Sequence, residues 1–269
     1  MSVAPARTNC SAGEAIVRTL SRAGAKDAED KQMRQATSIS AVVFDLGSTL
    51  VRETGFHPEE AQRFILSRAL SPHNLRQKEL EKFNDSVFRD MLERRELSGL
   101  EFQLTQYLNL LQTCLGIRLD GDLDEIACRC WFLEHSPRLE GGATECLRQL
   151  RSSGVKLGLL SNTILSRKSI KLAMKEFGIL DSFDAVVCSS EVAYRKPNSL
   201  IYRAILALLR AEATQSAMVG DNLESDIAGA ASVGMTTVWY NPGNLPSLET
   251  RPDHIVSDLA SVPGVLGLC

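Results

Sequence analysis

From Ser40 onward, short apolar runs alternate with stretches whose apolar residues recur every three or four positions. The runs Ala41–Leu46, Val155–Leu160, Asp184–Cys188, Ala217–Val219 and Thr236–Tyr240 are continuously apolar or β-branched rather than alternating. That is the pattern of parallel strands covered on both faces. Between them, Thr144–Ser153, Lys168–Phe177 and Ser199–Ala211 read as helices, the first two closed by Gly154 and Gly178. Strand and helix in alternation predict an α/β fold, a doubly wound parallel sheet.

One interval breaks the rhythm. Residues 53–137 hold no convincing strand, and Leu80, Phe83, Val87 and Met91, like Leu104, Leu108, Leu111 and Leu115, fall at helical spacing. Helices are predicted over Pro58–Leu70, Leu75–Glu96, Gly99–Leu115 and Leu123–Glu134. Four antiparallel helices between the first and second core strands exceed an ordinary crossover, so they read as an inserted cap domain. The expected organisation is an extension over 1–38, an α/β core over 39–52 and 138–269, and a helical cap over 53–137.

Composition changes this picture little. With 44% hydrophobic and 23% charged residues, the chain is of ordinary globular type. Thirty basic against 33 acidic side chains, a net charge of −3, give no global reason to bind nucleic acid or an anionic membrane. No window nears the roughly 18 apolar residues of a membrane helix. Seven cysteines without framework spacing fit reduced thiols and a cytoplasmic protein, and Cys128 and Cys130 are too close for a CxxC site. Arg7, Arg18 and Arg22 resemble an import peptide, interrupted by Glu14, so organellar import stays open. No heptad tract specifies an assembly; monomer and homodimer both remain.

Chemistry is expected where strands end. Asp45 follows the first run and Ser161-Asn162 the second; Lys196 precedes Pro197 and a helix, and Asp221 and Asp226 follow the fourth run. Three carboxylates meeting at one sheet edge repel unless a cation neutralises them, and oxygen ligands favour Mg²⁺. With a lysine and a hydroxyl beside it, such a cation suits a phosphoryl group.

In FDLGSTL from Phe44, LLSNT, YRKP and VGDNLESD, taken together and in order, the chain resembles the haloacid dehalogenase-like hydrolase superfamily over about residues 40–260. The resemblance implies a Mg²⁺-dependent hydrolase of a small phosphorylated metabolite, with a helical cap. It implies Asp45 as the nucleophile of an aspartyl intermediate and Lys196 as its partner, stabilising transition-state charge. Ser161 would bond the transferring phosphoryl oxygens and Asn162 shape the same loop. Asp45, the Gly47 backbone carbonyl, Asp221 and Asp226 would hold Mg²⁺, directly or through water.

One position departs from the pattern. Where family phosphatases carry a second aspartate, which protonates the leaving group and activates water, this chain has Gly47, followed by Ser48. Three readings follow. The protein is a phosphatase with another proton carrier, for which Glu53 and His57 are candidates that also read as solvated linker residues. Alternatively it is a phosphonatase- or dehalogenase-like hydrolase, the former needing a Schiff-base lysine such as Lys78 or Lys82. In the third it is a phosphate-binding regulatory module with little turnover.

Overall fold

Strand β1 (Ala41–Phe44) is buried at all four positions, and its alternate side chains serve two different cores. Val42 and Phe44 join Leu147, Leu150, Ile170 and Met174 in one; Ala41 and Val43 join Ile201, Tyr202, Ile205 and Leu209 in the other. A pleated strand splits its side chains this way, which is why the run must be apolar throughout. The computed structural model, which describes residues 38–70, 75–246 and 250–268, thus shows a sheet between two helical layers. The Arg7, Arg18 and Arg22 pattern that leaves organellar import open lies outside the described residues.

Further strands are β2 (Val51–Arg52), β3 (Arg138–Leu139), β4 (Lys156–Ser161), β5 (Ala185–Cys188), β6 (Ser216–Gly220), β7 (Thr236–Tyr240) and β8 (His254–Val256). The main sheet has the order β5-β4-β1-β6-β7-β8, every pair parallel. The chain runs outward from β1 through β4 to β5, then returns to β6 on the other side of β1. The strand order therefore reverses at β1/β6, and the crevice that a doubly wound sheet uses for ligands opens there.

Strands β2 and β3 pair separately as a short antiparallel ribbon, Val51 opposite Leu139 and Arg52 opposite Arg138. Among the described residues between them the regular elements are helices: α1 (Pro58–Ser67), α2 (Gln77–Phe83), a π-helical turn at Asn84–Phe88, α3 (Arg89–Ser98), α4 (Leu104–Leu115) and α5 (Leu123–His135). Helices α1 and α4 pack on α5, burying Ile65, Leu108, Leu111 and Ile126. Gly99 does not open the third helix, as the sequence pattern suggested. It sits at φ +66°, in the left-handed region that glycine adopts freely, and closes α3 by donating its N–H to the Arg95 carbonyl. Core helices α6 (Ala143–Ser152), α7 (Arg167–Glu176) and α8 (Ser199–Leu209) lie within a residue or two of expectation.

Two further seams fasten the helical insertion to the sheet's loops. Glu101 N–H donates to the Ala193 carbonyl at 2.7 Å, and Leu104 N–H to the Ile164 carbonyl at 2.7 Å. At the start of α5, Asp122 pairs with Lys168 of α7 at 2.6 Å, and the Ser166 hydroxyl donates to Asp124.

Candidate active site

The seven residues that the resemblance assigns to the site, Asp45, Gly47, Ser161, Asn162, Lys196, Asp221 and Asp226, stand together at the carboxyl edge of the sheet, around the β1/β6 crevice. Asp45 follows β1, Ser161 ends β4 with Asn162 after it, Lys196 lies between β5 and α8, and Asp221 follows β6. Asp226 sits on a π-helical turn, Leu223–Ala228. Gly220 must lack a side chain: a Cβ there would fall 2.4 Å from the Asp226 carboxyl, so the glycine lets Asp226 lie flat against β6.

Lys196 is the hub. Its ammonium donates to Asp45 Oδ1 at 2.6 Å, to Asp226 Oδ1 at 2.6 Å and to the Leu160 carbonyl at 3.0 Å. The Lys196 and Asp226 side chains are each 1% exposed and that of Asp45 10%. Asn162 does more than shape its loop. Its Oδ1 accepts from the Lys196 N–H at 2.8 Å and its Nδ2 donates to the Lys196 carbonyl at 3.0 Å, gripping the lysine's main chain from both sides.

The electrostatics follow from that burial. Desolvation is the largest influence on Asp45; the Lys196 charge opposes it and Asp226 adds to it, leaving the carboxyl raised from 3.8 to about 7. Asp221 is also raised, by burial first and by Asp226 second. Burial works against the Lys196 ammonium too, but the Asp45 and Asp226 charges outweigh it and hold its pKa above the ordinary lysine value. Three carboxylates face one ammonium, so the cluster is short of positive charge.

A small hard cation fits that shortfall. One oxygen from each of Asp45, Asp221 and Asp226 can be chosen so that all lie within 4.8 Å of one another. The three are not equally free. Asp226 has Lys196 on Oδ1 and the Asn222 N–H on Oδ2 at 3.0 Å. Asp45 Oδ2 accepts no hydrogen bond from the described residues, and Asp221 accepts a 3.3 Å bond from Thr49.

The cluster floors a cavity of about 680 Å³, the size of a metabolite site. Gly47, Ser161 and Asn162 line it with Asp45, Lys196, Asp221 and Asp226, as does Arg195, whose guanidinium is held by Glu101 at 3.0 Å. From the insertion come Glu53, Glu96 and Trp131. Trp131, Glu96 and Arg195 were not singled out from sequence. Only YRKP, which contains Arg195, carried any signal for them. His57 is exposed and paired loosely with Glu59 at 3.9 Å, away from the cavity lining. Lys78 and Lys82 are likewise exposed and do not line it.

A family model for haloacid dehalogenase-like hydrolases matches residues 39–234, which include every one of these predicted positions. The chain belongs to that family. It is thus an enzyme of the hydrolase class, with phosphatases among its relatives. Over 238 residues it is 28% identical to a ribulose-1,5-bisphosphate 5-phosphatase of Halopiger xanaduensis, covering 83% of this chain and 97% of the relative. Over 226 residues it is 29% identical to a glyceraldehyde 3-phosphate phosphatase of Methanopyrus kandleri, covering 82% and 91%. The crystal structure of an HAD phosphatase from Thermococcus onnurineus matches with a TM-score of 0.60 and 26% identity, over 86% of this chain and 99% of that one.

Proposed function

We propose that this hydrolase cleaves the phosphate ester of a small metabolite through an aspartyl-phosphate on Asp45, with Mg²⁺ at the strand edge. The observation that carries this reading is the buried Asp45–Lys196 pair on the floor of a metabolite-sized cavity. Lys196 occupies Oδ1 of Asp45, so Oδ2 is the oxygen left to attack phosphorus. As the Oδ2–P bond forms, the ester P–O bond breaks and the leaving oxygen takes up a proton. Water then attacks phosphorus, phosphate departs, and the Asp45 carboxylate is restored.

Lys196 orients Asp45 throughout and neutralises charge gathering on the transferring group; the Ser161 hydroxyl donates to a phosphoryl oxygen. Asn162 keeps the lysine's backbone in place. Asp221, the Gly47 carbonyl and Asp45, through the lone pair of Oδ1 that Lys196 leaves open, would hold Mg²⁺, with Asp226 reaching it through water or by giving up one of its present bonds. Bound there, Mg²⁺ would relieve the repulsion among the carboxylates and neutralise phosphoryl charge.

Residues 53–137 act in this reading as a cap that shields the reaction from water and shapes the space for the leaving group, over a core of 39–52 and 138–269. The cytoplasm is its proposed place of work, supported by the five described cysteines, all free thiols. A soluble small substrate is implied, and no helix among the described residues is long and apolar enough to cross a membrane. The phosphonatase alternative has no lysine of its own to use, since Lys78 and Lys82 stand outside the cavity.

The purified protein with Mg²⁺ should release phosphate from activated aryl phosphates and from members of a sugar- and nucleotide-phosphate panel. Chelation and Asp45→Asn should each abolish that release. Phosphate release independent of both, or no release at all, contradicts the reading; the latter outcome favours the regulatory module.

A further inference from the structure

Gly47 leaves the site without the carboxyl that should serve the leaving oxygen, yet nothing steric excludes one. A Cβ at Gly47 would meet no heavy atom within 4 Å. Some other group must therefore carry the proton, and three remaining carboxylates line the cavity: Glu53, Glu96 and Glu224. Glu96 is tied to Arg95 at 2.7 Å, a bond that lowers its pKa and keeps it charged. Glu224 is exposed and belongs to the segment that carries Asp221 and Asp226, beside the proposed cation.

Glu53 differs from both. After Asp45 the chain folds back on itself: Leu50 and Val51 N–H both donate to the Leu46 carbonyl, Ser48 N–H donates to the Val51 carbonyl, and Val51 bridges Gly47. Residue 53 is thereby held just beyond the β2 ribbon, on the rim of the cavity that Gly47 also lines. Its carboxylate is positioned from α5. Trp131 Nε1–H donates to Oε1 at 2.9 Å, and His135 Nδ1 stands 3.3 Å from Oε2. Its side chain is 45% exposed, open to the water that the second step consumes.

We propose that Glu53 is the proton carrier of this site, standing in for the carboxyl that Gly47 lacks, with Trp131 and His135 as its positioning residues. The inference rests on the phosphatase reading above. In the first step the protonated Glu53 carboxyl gives its proton to the ester oxygen as the P–O bond breaks and Asp45 Oδ2 bonds phosphorus. In the second, the Glu53 carboxylate takes a proton from water as that water's oxygen attacks phosphorus and the bond to Asp45 breaks. Glu53 ends protonated, ready for the next ester.

The test compares Glu53→Gln with the parent protein on two esters, one with an alkoxide leaving group and one releasing nitrophenolate, under saturating Mg²⁺. Glutamine still accepts from Trp131 but carries no acidic proton. The expected loss in kcat/KM for the alkyl ester is about 10²–10⁴-fold, the usual worth of general acid catalysis. For the nitrophenyl ester kcat/KM should barely change. Rapid mixing should instead show one equivalent of nitrophenolate per site followed by slow turnover, because the second step has lost its base. Adding Gly47→Asp to Glu53→Gln should restore alkyl-ester turnover. Equal losses on both esters would show a structural role, and no loss on the alkyl ester would show another carrier; either overturns the proposal. If the parent protein shows no Asp45-dependent turnover, the phosphatase reading itself fails and this inference falls with it.

Discussion

The strand edge and the helical insertion both carry opposite charges in close pairs, and they use them in opposite ways. On the insertion, Arg89 and Asp85 meet at 3.0 Å with side chains 65% and 72% exposed, and Arg94 meets Asp90 in the same manner. Water screens such i,i+4 pairs, and each partner remains solvated when the other is removed. At the strand edge, Lys196 has Asp45 and Asp226 at 2.6 Å and almost no water. There each charge depends on the others, because a stranded buried ion has nothing to replace its partner. Pairing distance is therefore a poor guide to importance. Burial decides it, and the sheet edge provides the burial because strands covered on both faces converge there.

That contrast can be broken in several ways. Asp45→Asn should have the largest effect, lowering phosphate release by about 10⁴-fold or more, measured as kcat on the best ester found. Next comes Lys196→Met, which strands two carboxylates. Chemical denaturation at high pH should show a loss of about 3–5 kcal/mol. The loss should shrink in acid, where the stranded carboxylates can take up protons.

The third test is pH itself. With its pKa raised to about 7, Asp45 keeps a proton in the folded apoprotein that the unfolded chain, with an ordinary value of 3.8, gives up. The folded state then binds more protons between those values, so this group's contribution to apoprotein stability falls as pH rises from about 4 to about 7. Mg²⁺ favours the ionised cluster and should stabilise more at about pH 8 than at about pH 5.5. Saturation to 100 times its Kd would add about 2.7 kcal/mol, read as a shift in melting midpoint. An equal shift at both pH values would mean that the carboxyls are already ionised in the apoprotein.

Smaller effects sharpen the comparison. With Glu53 in place, Gly47→Asp alone should change alkyl-ester kcat/KM by less than about threefold, or lower it. A large gain would show that the site lacks any carrier. Arg89→Ala, on the insertion, should leave both the melting midpoint and turnover unchanged within error; a clear loss would mean that exposed pairs there hold the cap together.

What the sequence disclosed divides along the same line. Continuous apolar runs located the central strands within a residue or two, because both faces of each are buried and no polar alternation blurs the signal. Asp45, Ser161, Lys196, Asp221 and Asp226 were legible because each follows such a run or precedes a helix at the sheet's carboxyl edge. Strands β2, β3 and β8 were not, since two or three partly exposed residues leave no periodicity. Asp226's commitment to Lys196 and Asn222, and Asn162's grip on the Lys196 main chain, are facts of geometry without a local pattern. The cavity's upper wall was hidden for a similar reason. Trp131 reads as one more apolar residue on α5, and only the fold carries it across 78 positions to Glu53. Glu53 and His57 looked equivalent in sequence; the return of β2 separates them.

The most direct test of the buried pair's role is to stop the reaction during turnover with acid and weigh the peptide that contains Asp45. One phosphoryl group on Asp45, absent from Asp45→Asn and depleted when substrate is exhausted, is the expected result. Phosphate released with Asp45 unmodified throughout, or a phosphoryl group found on another residue, would contradict it.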